Sequence, residues 1–383
     1  MKLLHTSDWH LGKVLKGQSR AEEQIAVLAE VVAVAEAERP DLVIVAGDIF
    51  DTVTPAAETM KLAVRALSAL RRHAGALVAI AGNHDHGAEI DALRPWADGV
   101  GVSLRGRITS AEDHRLHGVT AAGEAWRLAA LPFVSHRYAV RASEMFELTA
   151  AEATGTYADH VARLIAALTA DFADGSETIN LITAHLTVLG GKLGGGERDA
   201  HTIEAYAMPS SVFPSTAHYV ALGHLHRRQH VPGAAPVHYC GSPLAIDFGE
   251  EENTPSVSIV EVSADRPAKV RPMPIGAATP LRTVRGTLAE LAELAVDETA
   301  WLRVIVRERP RAGLREEVQT LLPRALEGRI DPGLLPALDR ATPAVGRAGR
   351  APRELFAEYL AVRGVADDAV TGLFDRLYED VHR

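Results

Sequence analysis

A single cysteine, Cys240, stands among 383 residues, so no disulfide can form within the chain, and such usage fits a reducing compartment. Hydrophobic runs are short. None approaches the roughly 18 residues that a membrane span requires. The first residues hold no signal-peptide core, because His5, Asp8 and His10 interrupt the apolar stretch. The expectation is a soluble cytoplasmic protein without membrane association. Positive charge is scarce as well: 40 Lys+Arg face 50 Asp+Glu, a net charge of -10, which argues weakly against a nucleic-acid partner. The deficit is uneven. Residues 281–350 hold 12 Arg against 10 acids and alone have a positive balance. Arg pairs well with phosphate, although a solvated helix face accounts for such a segment equally well.

What is present is an ordinary globular composition, 47% hydrophobic and 23% charged, at a length that suits two or three domains. Up to about residue 260, strand and helix patterns alternate, which argues for a layered α/β fold. Strands are expected near 1–7, 41–47, 76–81, 178–184, 218–223, 236–240 and 256–262, and meander strands within 100–135. The strand at 178–184 leads to a Gly-rich loop, Gly190–Gly196. Helices are expected over 20–38, from Pro55 (with Thr54 as cap) to His73, and over 156–173. The expected architecture is two packed sheets with helices outside. Four prolines between Ala264 and Pro280 suggest an interdomain connection. A small α+β unit follows, with strands at 281–285 and 301–307 and helices at 287–295 and 312–322. Beyond the Pro343–Pro352 stretch, two amphipathic helices fit 353–362 and 367–381. Their aromatic surface, including Phe356, Tyr359, Phe374 and Tyr378, is more than the pair can bury on each other. It must dock on the main domain or on a partner.

Five strand-like runs each end at once in metal-ligand residues: Asp8-Trp9-His10, Gly47-Asp48, Gly82-Asn83-His84-Asp85, Ala184-His185 and Gly223-His224-Leu225-His226. In an open α/β sheet, chemistry sits beyond the carboxyl ends of the strands. Asp, Asn and His without Cys is a donor set for ions that handle phosphate oxygens. Asp8 and His10, one residue apart, would share a face in continued strand geometry and bind one ion together. The glycines before Asp48, Asn83 and His224 let the backbone turn sharply. Seven protein donors with a shared Asp48 are too many for one ion and fit two. His84 is the natural proton donor to a leaving oxygen, with Asp85 setting its tautomer. Any one of these motifs is an incidental loop in most proteins; their co-occurrence is the signal. Among the other histidines, His86 and His201 are expected to line the cleft, His5 to be a strand residue, and His73 to end a helix.

These motifs, with Asp48-Ile49-Phe50-Asp51 and Tyr239-Cys240-Gly241-Ser242-Pro243, resemble the calcineurin-like metallophosphoesterase superfamily. Within it the chain is similar to the SbcD family of bacterial DNA-repair nucleases. The resemblance implies a metallophosphoesterase β-sandwich flanked by helices (residues 1–270), a small α+β DNA-capping domain (275–345), and a C-terminal helical pair (350–383) that binds the SbcC coiled-coil ATPase. It implies two divalent ions, Mn²⁺ in the first place. One would be held by Asp8, His10, Asp48 and His226, the other by Asp48, Asn83, His185 and His224. His84 would meet the scissile phosphate, and Asp51 and Ser242 would lie either behind the metal ligands or beside that phosphate. Archaeal and eukaryotic relatives carry a second histidine where this chain has Asp51, which lends no positive charge there. The implied activity is a double-strand exonuclease and a single-strand or hairpin endonuclease, acting as a homodimer within a heterotetramer. A small-molecule phosphoesterase would share every donor, and a non-catalytic scaffold could use the C-terminal helices alone.

Overall fold

Every second residue of the main hydrophobic runs faces a different neighbour, and that alternation dictates the layers. The strands in chain order are β1 (Lys2–Thr6), β2 (Val14–Leu15), β3 (Gln18–Ser19), β4 (Leu42–Ala46), β5 (Ala76–Ile80), β6 (Val102–Arg105), β7 (Arg115–Val119), β8 (Ala125–Leu131), β9 (Ile179–His185), β10 (Tyr219–Gly223), β11 (Gln229–Val231), β12 (Val237–Tyr239), β13 (Ser256–Glu261), β14 (Lys269–Pro274), β15 (Leu281–Gly286), β16 (Trp301–Val306) and β17 (Ala325–Ile330). The helices are α1 (Ala21–Glu38), α2 (Ala57–His73), α3 (Gly87–Ala92), α4 (Arg94–Gly99), α5 (Ala111–His114), α6 (Tyr157–Leu168), α7 (Leu288–Ala292), α8 (Leu314–Leu321) and α9 (Pro352–Val362). The computed structural model describes residues 1–135, 157–173, 177–197, 207–294, 299–334, 352–362 and 370–374. The chain divides into two compact units, Met1–Ile330 and Asp331–Arg383.

Two six-stranded sheets, ordered β14-β13-β1-β4-β5-β6 and β11-β12-β10-β9-β8-β7, form a sandwich. Leu42, Ile44 and Ala46 of β4 pack inward with Leu3, Val78 and Ile80 against Trp126, Leu128, Leu181 and Ala221 of the facing sheet. Val43 and Val45 face the other way, into the layer of α1 and α2, which supply Val27, Leu28, Val31, Leu67 and Leu70. The second sheet repeats the scheme, with Ile182, Ala184, Val220 and Leu222 turned to Val161, Leu164 and Leu168 of α6. With both faces covered, the central strands read as unbroken apolar runs. Strands β1, β4, β5 and β6 run parallel, as do β8, β9, β10 and β12. A buried polar contact ties the layers together. His5 of β1 sits between the sheets with Nδ1 3.0 Å from the Tyr219 hydroxyl and Nε2 3.2 Å from the Leu222 carbonyl. Burial pushes its pKa down to about 3, so the ring is neutral.

The sandwich flanked by helices is the expected fold, and the structure amends its edges. The proline-rich segment expected to be a connection contains β14, paired antiparallel with β13. Pro272 and Pro274 are tolerated because β14 is the outermost strand, where a missing N–H breaks no ladder. Helix α2 begins at Ala57 rather than Pro55, after an extended Ala56 and without a side-chain cap. With Ala56 as the boundary residue, Thr54 lies two positions too early to reach the first free N–H groups of the helix. The α+β unit has a third strand, β17, beside β16 in an all-parallel sheet β15-β16-β17 with its own core of Leu291, Val304, Val306, Leu314 and Val318. This sheet leans on the sandwich through Leu15, Phe248, Leu281 and Trp301 and through a 2.9 Å hydrogen bond from Trp301 Nε1 to Glu23.

In the second unit, α9 and residues 370–374 are helical, and the Phe356 and Phe374 rings stack 4.1 Å apart. Tyr359 and Leu373 are exposed. The expected stretch Pro343–Pro352, apart from its last residue, and the ends of the second helix (367–381) lie outside the described residues. Leu181 is fully buried in the inner layer of the sandwich. Leu181→Ala is expected to lower stability by about 2–5 kcal/mol in urea denaturation; an unchanged midpoint would contradict tight packing of that layer.

Candidate metal centre

Beyond their last residues, β1 and β4 stay zipped together. Asp8 N donates to the Gly47 carbonyl (3.0 Å), His10 N to the Asp48 carbonyl (3.1 Å) and Leu11 N to the Ile49 carbonyl (2.9 Å). This pairing carries Asp8, His10 and Asp48 to one spot. All three have left-handed backbones, with φ of 54°, 45° and 50°, and His224 has φ of 97°. Asp and His reach that region more readily than most residues, at a conformational cost typical of functional sites. Asp8 and His10 therefore converge through a tight turn and not, as expected, on one face of a continuing strand. The facing sheet locks onto this turn. His224 N donates to Asp8 Oδ1 (3.0 Å), and His185 Nδ1 donates to the Ala46 carbonyl (2.8 Å).

The seven expected donors, Asp8, His10, Asp48, Asn83, His185, His224 and His226, are all buried and fall into two groups around Asp48. On one side, His10 Nε2 is 3.1 Å from His226 Nε2 and 3.7 Å from Asp48 Oδ2, and His226 Nε2 is 4.0 Å from Asp8 Oδ1. On the other, Asn83 Oδ1 is 2.9 Å from His185 Nε2 and 2.8 Å from His224 Nδ1, and His185 Nε2 is 3.5 Å from the same Asp48 Oδ2. The atoms of Asp8, His10 and His226, and those of Asp8, Asp48 and His185, each lie within 4.8 Å of one another. His224 and His226, though one residue apart, serve opposite groups.

The protonation pattern fits cations. With Nδ1 of His185 and His226 donating to the Ala46 carbonyl and to Glu250, each ring points its Nε2 at oxygen or nitrogen acceptors, so that a proton or a metal ion must stand between them. Lone pairs crowded in this way call for positive charge between them. Burial opposes charging these rings, yet Asp48 lifts His185 to about 9 and Glu250 lifts His226 to about 10. Burial holds His10 at about 4, which keeps its lone pair available. Burial also opposes ionisation of Asp48, but His185 and the other rings keep its carboxyl well below the usual range. Oxygen and imidazole nitrogen with no thiolate is a set for hard or borderline divalent ions.

Space is as specific as charge. Gly47 alone of the three glycines has a left-handed φ, of 94°. Gly82 and Gly223 serve close approach instead. A Cβ on Gly82 would fall 2.1 Å from Asp48 Oδ1, and one on Gly223 1.9 Å from the Ala46 carbonyl.

The remaining expected residues are redistributed. His84 lies beside the cluster, its ring edge-on to His10 at 4.6 Å; its N–H donates to Asp48 Oδ1 (2.8 Å) and its Nδ1 to the Asp51 carbonyl (2.8 Å). The expectation that Asp85 orients this ring is corrected. Asp85 accepts the N–H groups of Gly82 (2.8 Å), Phe50 (2.8 Å) and Ile49 (3.1 Å), and so splices the β4 and β5 loops. Burial and the Asp48 charge raise its pKa to about 7. Ser242 Oγ lies 2.7 Å from the carbonyls of Asp8 and Leu244, so it braces the main chain rather than the substrate side. Asp51 Oδ1 is 3.5 Å from His10 Nδ1 and 3.2 Å from Lys13 Nζ. Burial disfavours its charge, but these partners hold it at about 2. Lys13 thus brings a cation to the place where Asp51 supplies none. His86 lines an adjoining cavity of about 450 Å³ with Arg107 and Phe133, and His201 lies outside the described residues.

Sequence reasoning missed Lys13, Glu197 and Glu250. The one signal was the run Gly190–Gly196, which reads as a loop with no chemistry of its own.

Residues 1–228 match the calcineurin-like phosphoesterase family, and residues 278–363 match the SbcD C-terminal family, described as type 5 capsule protein repressor C-terminal domain. The chain is 33% identical over 326 residues to the SbcD subunit of nuclease SbcCD from Bacillus subtilis (strain 168), covering 82% of this chain and 81% of the relative. It is 30% identical over 307 residues to the protein of the same name from Escherichia coli (strain K12), covering 76% and 72%. To that from Rhodobacter capsulatus it is 32% identical over 326 residues, covering 82% and 78%.

Asp85→Ala leaves three loop N–H groups without their carboxylate and is expected to cost on the order of 3 kcal/mol. Asp85→Asn, which keeps one acceptor oxygen, is expected to cost less. Equal melting temperatures for the two variants would refute the loop-splicing role.

Proposed function

Because the chain belongs to the calcineurin-like phosphoesterase family, we propose that it is a two-metal DNA phosphodiesterase, the nuclease subunit of an SbcCD-type repair and recombination complex. The observation that carries this reading is Asp48 Oδ2, set 3.7 Å from His10 Nε2 and 3.5 Å from His185 Nε2, between two donor groups. Asp8, His10, Asp48 and His226 would hold one ion; Asp48, Asn83, His185 and His224 the other. Mn²⁺ suits this oxygen and imidazole set. The chemistry that such a pair supplies when bound is polarisation of the phosphoryl oxygens and a lowered pKa for the attacking water.

The chain's own residues supply the rest. With Nδ1 committed to the Asp51 carbonyl, His84 presents Nε2 to the phosphate and delivers the proton to the leaving oxygen. The hydrogen bond from its main chain to Asp48 fixes the distance between that acid and the shared carboxylate. Lys13, beside Asp51, adds positive charge near the same phosphate.

The domain assignment follows the same reading: a nuclease domain over 1–270, a DNA-capping domain over 275–345 and a C-terminal docking piece over 350–383. Much of the capping segment's positive charge is already spent. Arg307, Arg311 and Arg329 pair with Glu290, Glu317 and Glu327, and Arg324 lies over the Trp301 ring. Phosphate contacts then fall to exposed arginines such as Arg285, Arg309 and Arg315. Such contacts are independent of sequence and weaken with salt. Exposed Tyr359 and Leu373 on the C-terminal helices suit docking to the coiled-coil ATPase SbcC, whose ATP cycle would gate duplex cleavage. Duplex ends are the exonuclease substrate, and single strands and hairpins the endonuclease substrate, in a homodimer within a heterotetramer. A bacterial cytoplasmic location, at the nucleoid when bound to DNA, accords with the single free cysteine. No helix among the described residues is long and apolar enough to cross a membrane.

The test is Mn²⁺-dependent nicking of a DNA hairpin by the purified chain. His84→Ala is expected to lower kcat by about 10²–10⁴-fold while still binding metal, and Asp48→Ala to abolish both metal binding and cutting. Equal cutting by wild type and variants would sink the proposal. Turnover of bis-p-nitrophenyl phosphate without any DNA cleavage would replace it with a small-molecule phosphoesterase.

A further inference from the structure

Glu250 is buried, and nothing in its immediate sequence announces a role. Its Oε1 accepts the His226 Nδ1–H at 2.7 Å, and its Oε2 accepts the Ile246 N–H at 3.0 Å, so both oxygens are committed. It sits at the end of the short turn Phe248–Glu250, capped by Asp247 through Gly249 N (2.9 Å). The glycine run passes directly over this pair. A Cβ on Gly196 would lie 1.8 Å from Glu250 Oε1 and 3.0 Å from His226 Nδ1. One on Gly195 would lie 2.6 Å from the Gly249 carbonyl, and one on Gly194 2.9 Å from His226 Cβ. Glu197 closes the run by accepting the N–H groups of His226 (2.9 Å), Gly194 (2.5 Å) and Gly195 (2.7 Å). His226 is thereby held at its backbone, its Cβ and its ring.

We infer that Glu250 is a positioning residue of the metal centre, fixing His226 with Nε2 toward His10 and Asp8, and that Gly194–Gly196 is glycine because the main chain must close over that contact. The inference rests on the two-metal reading above and sharpens it. The group containing Asp8, His10 and His226 depends on Glu250, whereas the group of Asn83, His185 and His224 is oriented from elsewhere, by the Ala46 carbonyl. A carboxylate behind a ligating imidazole fixes its tautomer and raises its basicity, and losing such a partner typically weakens metal affinity by about 10–100-fold. The two sites should therefore respond unequally to a change at residue 250.

The experiment is calorimetric titration of the purified full chain with MnCl₂, read together with the electron paramagnetic resonance signal of the bound ions. Wild type is expected to bind two equivalents with an exchange-coupled spectrum. Glu250→Ala is expected to keep one equivalent at wild-type affinity and weaken the other about 10–100-fold, leaving the spectrum of an isolated ion at low occupancy. Glu250→Gln, whose amide oxygen can still accept the Nδ1–H while its NH2 faces the Ile246 N–H, should recover part of that loss. Gly196→Ala should reproduce the alanine result without removing the carboxylate, since the methyl meets the movable end of a side chain. This variant decides the matter if Glu250→Ala fails to fold. Two equivalents at wild-type affinity in both Glu250→Ala and Gly196→Ala would overturn the inference and leave the two-metal reading standing. A wild-type chain that binds fewer than two ions would take down both.

Discussion

The structure turns on the Asp48 carboxylate, buried between two sheets and faced by imidazoles from each. A buried carboxylate is costly unless opposite charge and hydrogen bonds offset desolvation. Here the offset comes from every side. His84 donates its N–H, His10 and His185 flank the second oxygen, and Gly82 vacates the space a methyl would fill. These providers arrive on three strand ends, those of β1, β5 and β9. The parallel pairing of β1, β4 and β5, and of β9 and β10, is what brings those ends together. Sheet order is thus part of the chemistry, because exchanging two strands would separate the donors.

Much of this was legible in the chain itself. The runs at 42–46 and 219–223 read as buried strands because both faces are covered, and the residues that follow them are chemically distinctive. What was misread has local causes. Pro272 and Pro274 look like a linker in sequence, and only the outermost position of β14 makes them compatible with a strand. The mixed polar run Ala325–Ile330 carries no alternation strong enough to announce β17, which lies at a sheet edge. Asp85 follows His84 directly, and adjacency suggested a partnership that the turn does not make. Lys13 and Glu250 were invisible for the opposite reason. Their partners, Asp51 and His226, lie far away in sequence, and no periodicity encodes such a contact.

The small parallel sheet is not an independent appendage. Phe248, in the same turn as Glu250, packs with Leu15 and Leu281 and receives the Arg303 guanidinium 5.3 Å from its ring centre. On the other flank, Arg20 is fully buried, donates to Glu23 through two nitrogens at 2.7 Å, and reaches the Ala245 carbonyl at 3.0 Å. Glu23 also takes the Trp301 indole. The segment that aims His226 and the surface that carries the third sheet are therefore one piece of chain.

The position of β1 has a consequence for how the molecule comes into being. One neighbour of β1 is β4, forty residues on, and the other is β13, whose Val260 stands opposite Leu3. A chain emerging from the ribosome can set β1 beside β4 early, but β1 keeps an open edge until residue 261 appears. Asp8, at the end of that strand, meets the His224 N–H only when β10 has been made, and His226 gains Glu250 later still. Long-range pairing of this kind forms late and as a unit. The full donor set exists only once His226 has been made, past the midpoint of the 383-residue chain, and Glu250 follows it, so the centre stays unassembled through the first half of synthesis.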